Sequence, residues 1–446
     1  MKAIRYYAPG QVALEDVPEP APGPGEIKLR VRNCSLCGAD LRIVRHGSHR
    51  MSAPRVMGHE IAGEIVDLGD GVADWSPGDR VQVIGAIPCG SCAECDRDRP
   101  RMCLHLTAMG HDFDGGFAEY VVVPAKVLAV GGVNRIPDGV GFAEASFAEP
   151  LSCVINGQQL VGVGPGDHVV VVGAGPIGCL HVRLARAAGA ARVILVDLNQ
   201  ERLAHAAKLV QPDAVICAAD GRVTEDVLEL TGGRGADVVI TATPAGEALE
   251  EAVQYCAPQG RISIFGGLPK GNSITALDAN VIHYRELTVV GASASSPEQN
   301  TRALEMIADG VVEVADLISH QLPLERFFDA LELIDSGDAV KVTFEPGTPT
   351  TVGDEIVNMQ WVNIALDGLL TETEIEEIID NYESLQDRPL LHLGLDSMKT
   401  MGVILNMESK LGLEIDYEAL DLAEISTLGR VRSFIDRRAG SDAYTV

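Results

Sequence analysis

Basic and aromatic side chains are scarce in this 446-residue chain. It has 35 Lys and Arg residues against 64 Asp and Glu, a formal net charge of −29, and 4% aromatic residues. This negative charge repels nucleic acid and anionic membranes, so we expect neither as a partner. No apolar run reaches the length of a membrane span, and no basic-then-apolar leader follows Met1. The sequence therefore predicts a cytoplasmic protein.

Glycine and cysteine are well represented. The 47 glycines and the 46% hydrophobic content are typical of a globular α/β chain. Ten cysteines in a cytosolic protein favour free thiols and metal ligands over disulfides.

Four of the cysteines fall in one short segment with the spacing C-x2-C-x2-C-x7-C: Cys89, Cys92, Cys95 and Cys103. Four thiolates form a closed tetrahedral set with no open position, which is typical of a structural zinc site. An iron–sulfur site is the alternative, although nothing else in the sequence indicates electron transfer.

A second group of potential metal ligands lies upstream. Cys37 offers a thiolate, His59 an imidazole and Glu60 an adjacent carboxylate, and this donor set suits zinc. A catalytic zinc keeps one position open, so about three protein ligands are expected. The simpler alternative is an isolated Cys and His in the core of a small β domain. Glu149, farther along, is another carboxylate close to a predicted domain boundary.

A glycine-rich turn predicts a dinucleotide site. The buried strand His168–Val172 runs into GAGPIG and then into a helix, which is the context that the GxGxxG motif requires. The residues expected to approach the pyrophosphate are Gly173, Gly175, Pro176, Ile177 and Gly178.

The next predicted strand ends in Asp197. A carboxylate there accepts from the ribose 2′-OH and repels a 2′-phosphate, so the sequence favours NAD over NADP. The alternative role of Asp197 is that of a helix N-cap. We also place Arg202 among the cofactor-binding residues.

Residues 1–345 resemble the zinc-dependent medium-chain dehydrogenases, most closely the sorbitol and threonine dehydrogenase branch. The motifs that carry the resemblance occur in the family's order: CGAD, GHEIAGEIVDLG, the four-cysteine lobe, DGGFAEYVVVP, FAEPLSCVING, VVVGAGPIG and ALELIDSGDAVKVTFEP. The resemblance implies a catalytic zinc held by Cys37, His59 and a carboxylate from Glu60 or Glu149, and it leaves open which of the two binds directly. It also implies a homodimer or homotetramer.

Two positions depart from that family. Ala39 stands where Ser or Thr is usual, and Arg42 stands where a His often occurs, so the relay that carries the alcohol proton to solvent is absent. Glu60 or Glu149 is the first choice as proton acceptor. His46 and His49 are weaker candidates, since both are expected to be solvated loop residues.

The composition changes after Glu345. PGTPTTVGD is a linker, and the acidic segment that follows has the size of one small helical domain. LGLDSM, an apolar-periodic helix and LGLEIDYEAL resemble the acyl and peptidyl carrier domains of assembly-line enzymes. The resemblance implies that Ser397 carries 4′-phosphopantetheine, attached by a phosphopantetheinyl transferase. The alternatives are an N-cap serine or a carrier fold without the prosthetic group.

The sequence thus predicts an α/β chain with a further all-α domain. The predicted ranges are a GroES-like β-rich zinc domain at 1–153 and 290–345, a Rossmann NAD-binding domain with a doubly wound parallel sheet at 154–289, a linker at 346–352 and a carrier helical bundle at 353–440.

The predicted reaction is oxidation of a secondary alcohol, or reduction of the ketone, with zinc and NAD. Two interpretations of the substrate remain. In the first, the substrate is a hydroxyacyl or aminoacyl thioester tethered on Ser397 in a secondary-metabolite pathway. Alternatively, it is a free polyol or amino alcohol, and the carrier domain serves other assembly-line enzymes. A zinc-free enoyl reductase is disfavoured because both metal motifs are intact.

Overall fold

The chain divides into two compact units, Met1–Thr348 and Pro349–Val446. The computed structural model describes residues 1–48, 50–269, 271–337, 339–347, 360–386, 388–411, 415 and 425–438. Of the expected linker 346–352, only Pro346 and Gly347 fall within these ranges. No helix in the described part of the chain is both long and apolar enough to span a membrane.

The first unit begins with a β-rich half. Its strands are Lys2–Ala8, Gln11–Asp16, Ile27–Ser35, Arg55–Val56, Glu60–Leu68, Arg80–Val83, Ala86–Ile87, Thr107–Ala108, Tyr120–Val123, Val133–Arg135, Ile318–Leu322 and Lys341–Phe344. The strand Ile27–Ser35 lies at the centre of the main sheet, where it pairs antiparallel with Glu60–Leu68, Tyr120–Val123 and Lys341–Phe344. Every second residue of such a strand faces the core, and Ile27, Leu29 and Val31 are fully buried.

The second half of the first unit is a six-stranded parallel sheet. In spatial order its strands are Ala214–Cys217, Arg192–Asp197, His168–Val172, Ala236–Thr241, Cys256–Ile264 and Thr288–Gly291. Val169, Val170 and Val171 are fully buried, as expected for a strand covered by helices on both faces. The order reverses beside the strand His168–Val172, which places a ligand crevice at the end of that strand.

Helices connect and cover these sheets. In the first unit they are Gly38–His46, Ala125–Ala129, Phe142–Ser146, Ala148–Val161, Pro176–Ala187, Gln200–Val210, Val223–Leu230, Gly246–Tyr255, Ala279–Arg285, Pro297–Ala308 and Phe327–Ser336. Short 3₁₀ turns lie at Pro100–Met102, Ala218–Asp220, Ala315–Leu317 and Leu324–Arg326.

After the parallel sheet the chain returns to the β-rich half. Thr343 and Phe344 pair with Ser35 and Cys34, and Asn33 Nδ2 donates to Thr343 Oγ1 at 3.1 Å across a sequence separation of 310 residues. The strand Ile27–Ser35 and the last strand of the unit, Lys341–Phe344, are therefore neighbours in one sheet.

One histidine is enclosed in the core of the parallel-sheet half. His181 is fully buried and stands edge-to-face on Phe265, with 4.6 Å between ring centroids. Its Nδ1 lies 3.3 Å from Gln158 Nε2, and its Nε2 has no hydrogen-bond partner among the described residues. Burial lowers the pKa of His181 to about 3, so the ring is neutral in the folded chain.

We expect this histidine to make folding less favourable in acid. The unfolded chain takes up the proton near pH 6.5, whereas the folded ring does so only near pH 3. The contribution of His181 to the free energy of unfolding is therefore fully present above pH 6.5 and decreases as the pH falls below that value. Acidification from about pH 7.5 to about pH 5.5 should remove about 1.4 kcal/mol from the free energy of unfolding through this group. Urea titrations should show that His181→Leu lacks this contribution, and that a variant of the exposed His205 keeps it. An unchanged pH dependence in His181→Leu would contradict the assignment.

The second unit contains helices around a core of its own. The helices are Gln360–Leu366, Glu372–Asp380, Tyr382–Leu385, Ser397–Leu411 and Leu428–Arg438, with a 3₁₀ turn at Leu390–Leu393. Trp361, Ile404 and Phe434 belong to the buried cluster they enclose. Thr371 and Glu374 form a capping box at the start of Glu372–Asp380.

Candidate active site

Cys37 lies at the start of a helix whose first turn also carries Asp40. Cys37 Sγ accepts the Ala39 N–H at 3.5 Å, and Asp40 Oδ2 accepts the Cys37 N–H at 3.0 Å. This reciprocal arrangement is a capping box in which cysteine takes the place of serine. The helix Gly38–His46 therefore fixes the position of the thiol.

The predicted ligands of a catalytic metal meet beside this helix. One ligand atom each from Cys37, His59 and Glu60 lies within 4.8 Å of the others. Glu60 begins the strand Glu60–Leu68, which pairs with Ile27–Ser35, the strand that ends just before Cys37. Pairing of two adjacent strands thus brings ligands from two segments together.

Asp40 connects two of these ligands. Its carboxylate is buried, with Oδ2 on the Cys37 N–H and Oδ1 at 3.5 Å from His59 Nδ1. Burial lowers the pKa of His59, but Asp40 and the Cys37 thiol raise it well above its ordinary value. The surroundings of His59 therefore favour positive charge. A carboxylate on one imidazole nitrogen is also the usual way to orient the other nitrogen toward a metal.

Glu60 is paired on one side only. Its Oε2 lies 2.5 Å from Lys341 Nζ, and both side chains are buried. Its Oε1 is buried and has no hydrogen-bond partner among the described residues. Because a buried carboxylate oxygen without a partner is costly, Oε1 is suited to a metal or a ligand.

Glu149 lies outside the group of three. It stands in the first turn of the helix Ala148–Val161, next to Gly85, where an added Cβ would lie 2.8 Å from Glu149 Oε1. Burial raises the pKa of Glu149 to about 7, while His59 lowers it and Glu60 raises it. Glu149 thus borders the site without sharing the 4.8 Å spacing of its ligands.

The charges of this pocket fit a divalent cation. Cys37, Asp40, Glu60 and Glu149 are acidic, and Lys341 is the basic partner at Glu60. Buried charges of one sign are costly unless they are compensated. Sulfur, nitrogen and oxygen donors at this spacing suit zinc.

The four-cysteine lobe fits a single tetrahedral ion. The four sulfur atoms lie within 4.8 Å of one another, and Cys92 Sγ is 3.6 Å from Cys95 Sγ and 3.8 Å from Cys103 Sγ. Zn–S bonds of about 2.3 Å in a tetrahedron place sulfurs about 3.8 Å apart, whereas a disulfide needs about 2 Å. The N–H groups of Cys95 and Leu104 lower the pKa of Cys92 to about 6, which favours the thiolate.

The glycine-rich turn has the geometry of a phosphate site. Gly173 has φ of 113°, and a Cβ added to Gly178 would lie 1.7 Å from the Gly173 carbonyl oxygen, so neither position accepts a side chain. Gly175 caps the helix Pro176–Ala187 without any side-chain hydrogen bond. The first N–H groups of this helix therefore remain suited to a pyrophosphate.

Asp197 is buried at the end of its strand and is already surrounded by donors. It accepts the Ala174 N–H at 2.7 Å, the Asn199 N–H at 2.8 Å and two Arg202 hydrogen bonds at 2.7 and 3.2 Å. Burial raises its pKa, but these donors, above all Arg202, hold the pKa below its usual value. Asn199, rather than Asp197, caps the helix Gln200–Val210.

The positions of the missing relay are also visible. Ala39 offers only its backbone N–H, and Arg42 is exposed, with Nη1 4.0 Å from the position of a Cβ built on Gly267. His46 ends its helix in an exposed position. His49 lies outside the described residues.

Ser397 begins the helix Ser397–Leu411 in the second unit. Asp396 Oδ1 accepts the N–H groups of Met398 and Lys399 at 3.0 and 2.9 Å. Asp396 therefore supplies the side-chain cap, and the helix start does not depend on Ser397 for that role.

Three residues near the metal ligands have no predicted role: Asp40, His111 and Lys341. The C-x-x-D spacing at a helix start was the available signal for Asp40, and a lysine within an apolar strand was the signal for Lys341. His111 gives no comparable local signal.

Fold and site together define a zinc-dependent dehydrogenase, in which a β-rich catalytic domain is joined to a dinucleotide-binding domain. Residues 23–133 match the model of the alcohol dehydrogenase GroES-like domain, and residues 176–309 match that of the zinc-binding dehydrogenases.

The comparisons with individual proteins agree. An L-threonine 3-dehydrogenase of Pyrococcus horikoshii is 34% identical over 77% of this chain and 98% of its own length. A sorbitol dehydrogenase of Halalkalibacterium halodurans is 31% identical over 78% of this chain and 99% of its own length. The crystal structure of a zinc-binding dehydrogenase from Sinorhizobium meliloti, bound to NADP, superposes with a TM-score of 0.72 at 33% identity, covering 77% of this chain and 99% of its own.

The chain therefore belongs to the zinc-dependent medium-chain alcohol dehydrogenase family, and it is an enzyme of that family. The expected GroES-like and Rossmann domains are confirmed. Neither family match extends into 353–440, so the comparisons give no support for the carrier domain, its phosphopantetheine or a tethered substrate.

Proposed function

We propose that the enzyme oxidises a secondary alcohol with NAD at Cys37, His59 and Glu60. The observation that carries this is the convergence of these three ligands within 4.8 Å in a pocket of predominantly acidic groups. Zinc bound there would act as a Lewis acid on the alcohol oxygen. The four cysteines of the lobe would hold a second, structural zinc.

The chain's own residues contribute orientation and charge. Asp40 aligns Cys37 and His59, and Lys341 holds one oxygen of Glu60. In the absence of the serine–histidine relay, Glu60 or Glu149 is the proposed acceptor of the hydroxyl proton. The turn at Gly173–Gly178 would bind the pyrophosphate, and Asp197 with Arg202 would face the adenosine ribose.

NAD is the proposed cofactor, although the Sinorhizobium relative is bound to NADP. The support is Asp197, whose buried carboxylate is held ionised by its donors at the end of the second strand. A negative charge in this place opposes a 2′-phosphate.

We further propose that the second unit is a carrier domain modified on Ser397. The support is a helical unit with its own core, a serine at the first residue of a helix, and a cap supplied by Asp396 instead. Tethering a hydroxyacyl or aminoacyl group there would raise its local concentration to about the millimolar range, provided that the arm reaches the site. A phosphopantetheinyl transferase would be the modifying partner.

Treatment with a phosphopantetheinyl transferase and CoA should add one phosphopantetheine to Ser397. Mass spectrometry of the intact protein and of the Ser397 peptide measures the addition, and Ser426 serves as the internal control. No added mass on the wild type would reject the carrier proposal.

A free alcohol is the competing substrate, and the relatives favour it because they are named for threonine and sorbitol. The Ser397→Ala protein separates the two cases. A tethered mechanism requires that this variant lose turnover of the carrier-bound substrate. Equal turnover of free polyol or amino alcohol by both proteins would favour the separate dehydrogenase.

A further inference from the structure

His111 carries two buried ring nitrogens that no described residue satisfies. Neither Nδ1 nor Nε2 is accessible to solvent, and neither has a hydrogen-bond partner within the described ranges. Buried imidazole nitrogens are normally paired, because a lost hydrogen bond in the interior costs about 1–3 kcal/mol. The position of these nitrogens therefore points to a partner supplied by a ligand.

The ring lies beside the candidate metal ligands. His111 stands edge-to-face on His59, with 6.0 Å between the ring centroids and 70° between the planes. His111 does not belong to the group whose ligand atoms lie within 4.8 Å of one another, which consists of Cys37, His59 and Glu60. It is thus a neighbour of the metal position and not one of its ligands.

The backbone holds His111 in this place. Gly116 N donates to Gly58 O and Phe117 N donates to Met57 O, each at 2.9 Å, so the loop that carries His111 is bound to the segment that leads into His59. A side chain carried by a loop that is fixed in this way is preorganised for binding.

The close approach of these segments depends on a glycine. Gly110 has φ of 71°, and a Cβ added there would lie 2.9 Å from the Gly58 carbonyl oxygen. The loop can therefore pack directly on the chain before His59 only because this position carries no side chain.

Asp112, the residue after His111, has a structural role that His111 does not share. Asp112 Oδ2 accepts the Ala108 N–H at 2.8 Å, which closes the turn after the strand Thr107–Ala108. The imidazole of His111 takes no part in that turn. A neutral imidazole offers one donor and one acceptor, which matches a hydroxyl or an amine and gives nothing to an alkyl group.

We propose that His111 is a substrate-binding residue that hydrogen-bonds a hydroxyl or amino group on the carbon next to the reacting carbinol. This inference rests on the proposed dehydrogenase function and specifies its substrate class. The enzyme selects secondary alcohols with a vicinal polar substituent over simple alkanols, because only the former satisfy the buried nitrogens of His111. A β-hydroxy-α-aminoacyl group, a vicinal dihydroxyacyl group and a free vicinal diol each meet this requirement.

The test compares 2,3-butanediol with 2-butanol, which differ only in the vicinal hydroxyl. With NAD and the zinc-loaded full chain, His111→Leu should lower kcat/KM for the diol about tenfold, chiefly through KM, and leave kcat/KM for 2-butanol unchanged. His111→Gln keeps a donor and an acceptor and should recover part of the loss. His283→Leu, at an exposed position, is the matched control.

Binding gives a readout that is independent of turnover. Calorimetric titration of the zinc-loaded, cofactor-free protein with 2,3-butanediol should show about tenfold weaker binding in His111→Leu, at unchanged zinc content. Equal effects of His111→Leu on both alcohols, or diol binding that the variant leaves unchanged or that the wild type lacks, would overturn the role of His111. Diol binding that depends on His111, without NADH formation from any secondary alcohol, would instead reject the dehydrogenase function and keep the binding site.

Discussion

Replacing Cys37 with serine should lower turnover about 10³-fold, because a zinc ion held by Cys37, His59 and Glu60 would supply Lewis-acid catalysis worth several kcal/mol. The same change should reduce bound zinc from two ions per chain to one. The loss should be local, since the cap on the helix Gly38–His46 accepts serine as readily as cysteine. Metal analysis and steady-state kinetics on the purified full chain measure both effects.

The four-cysteine lobe supplies the complementary experiment. Cys92→Ser should also remove one zinc, but from the lobe, and the expected loss is in stability toward heat or urea. Cys217→Ser, which lies outside both groups, should keep both ions and full activity. A single zinc in the wild type, with Cys37→Ser unchanged in activity and metal content, would show that the catalytic site is assigned to the wrong residues.

Replacing Asp197 with alanine should shift the cofactor preference about 100-fold from NAD toward NADP, since hydrogen bonds to a charged group contribute about 1.5–3 kcal/mol. The structure gives a second reason for this shift toward NADP, beside the loss of the negative charge. Asp197 accepts two hydrogen bonds from Arg202, so its removal frees a guanidinium that suits a 2′-phosphate. The ratio of kcat/KM for the two cofactors measures the shift.

Two further variants separate these causes. In Asp197→Ala with Arg202→Ala, the gain for NADP should largely disappear, while the loss for NAD remains. Glu201→Ala removes an exposed carboxylate from the first turn of the same helix and should leave the ratio unchanged. A wild-type preference for NADP would contradict the role given to Asp197.

The sequence predicts well where the determinants are local. The strand His168–Val172 and the turn after it depend on a run of valines and on glycines at fixed offsets, so the pattern contains what the fold requires. The capping box links Thr371 with Glu374, three positions later, so it can also be recognised from the sequence alone. By contrast, the helix Gln360–Leu366 packs in a tertiary core through Trp361, and such packing depends on residues far apart in the sequence.

The site is predictable only in part for the same reason. Cys37, His59 and Glu60 are recognisable by their chemistry as ligands. The partner of Glu60, however, is a lysine from the last strand of the unit, and the position of His111 depends on a loop pairing with the chain before His59. Such relations arise from contacts between distant segments, which no local pattern records.

The return of the chain to its main antiparallel sheet has a consequence for synthesis. The strand that carries Lys341 pairs with residues 34 and 35, so the ribosome makes the strand that completes the metal pocket only after the whole nucleotide-binding domain. Pairing over about 300 residues is slow to nucleate, since the loop must close before its contacts are gained. The ligands Cys37, His59 and Glu60 are therefore synthesised early, but the buried lysine that pairs with Glu60 is added last, when the rest of the first unit has already been made.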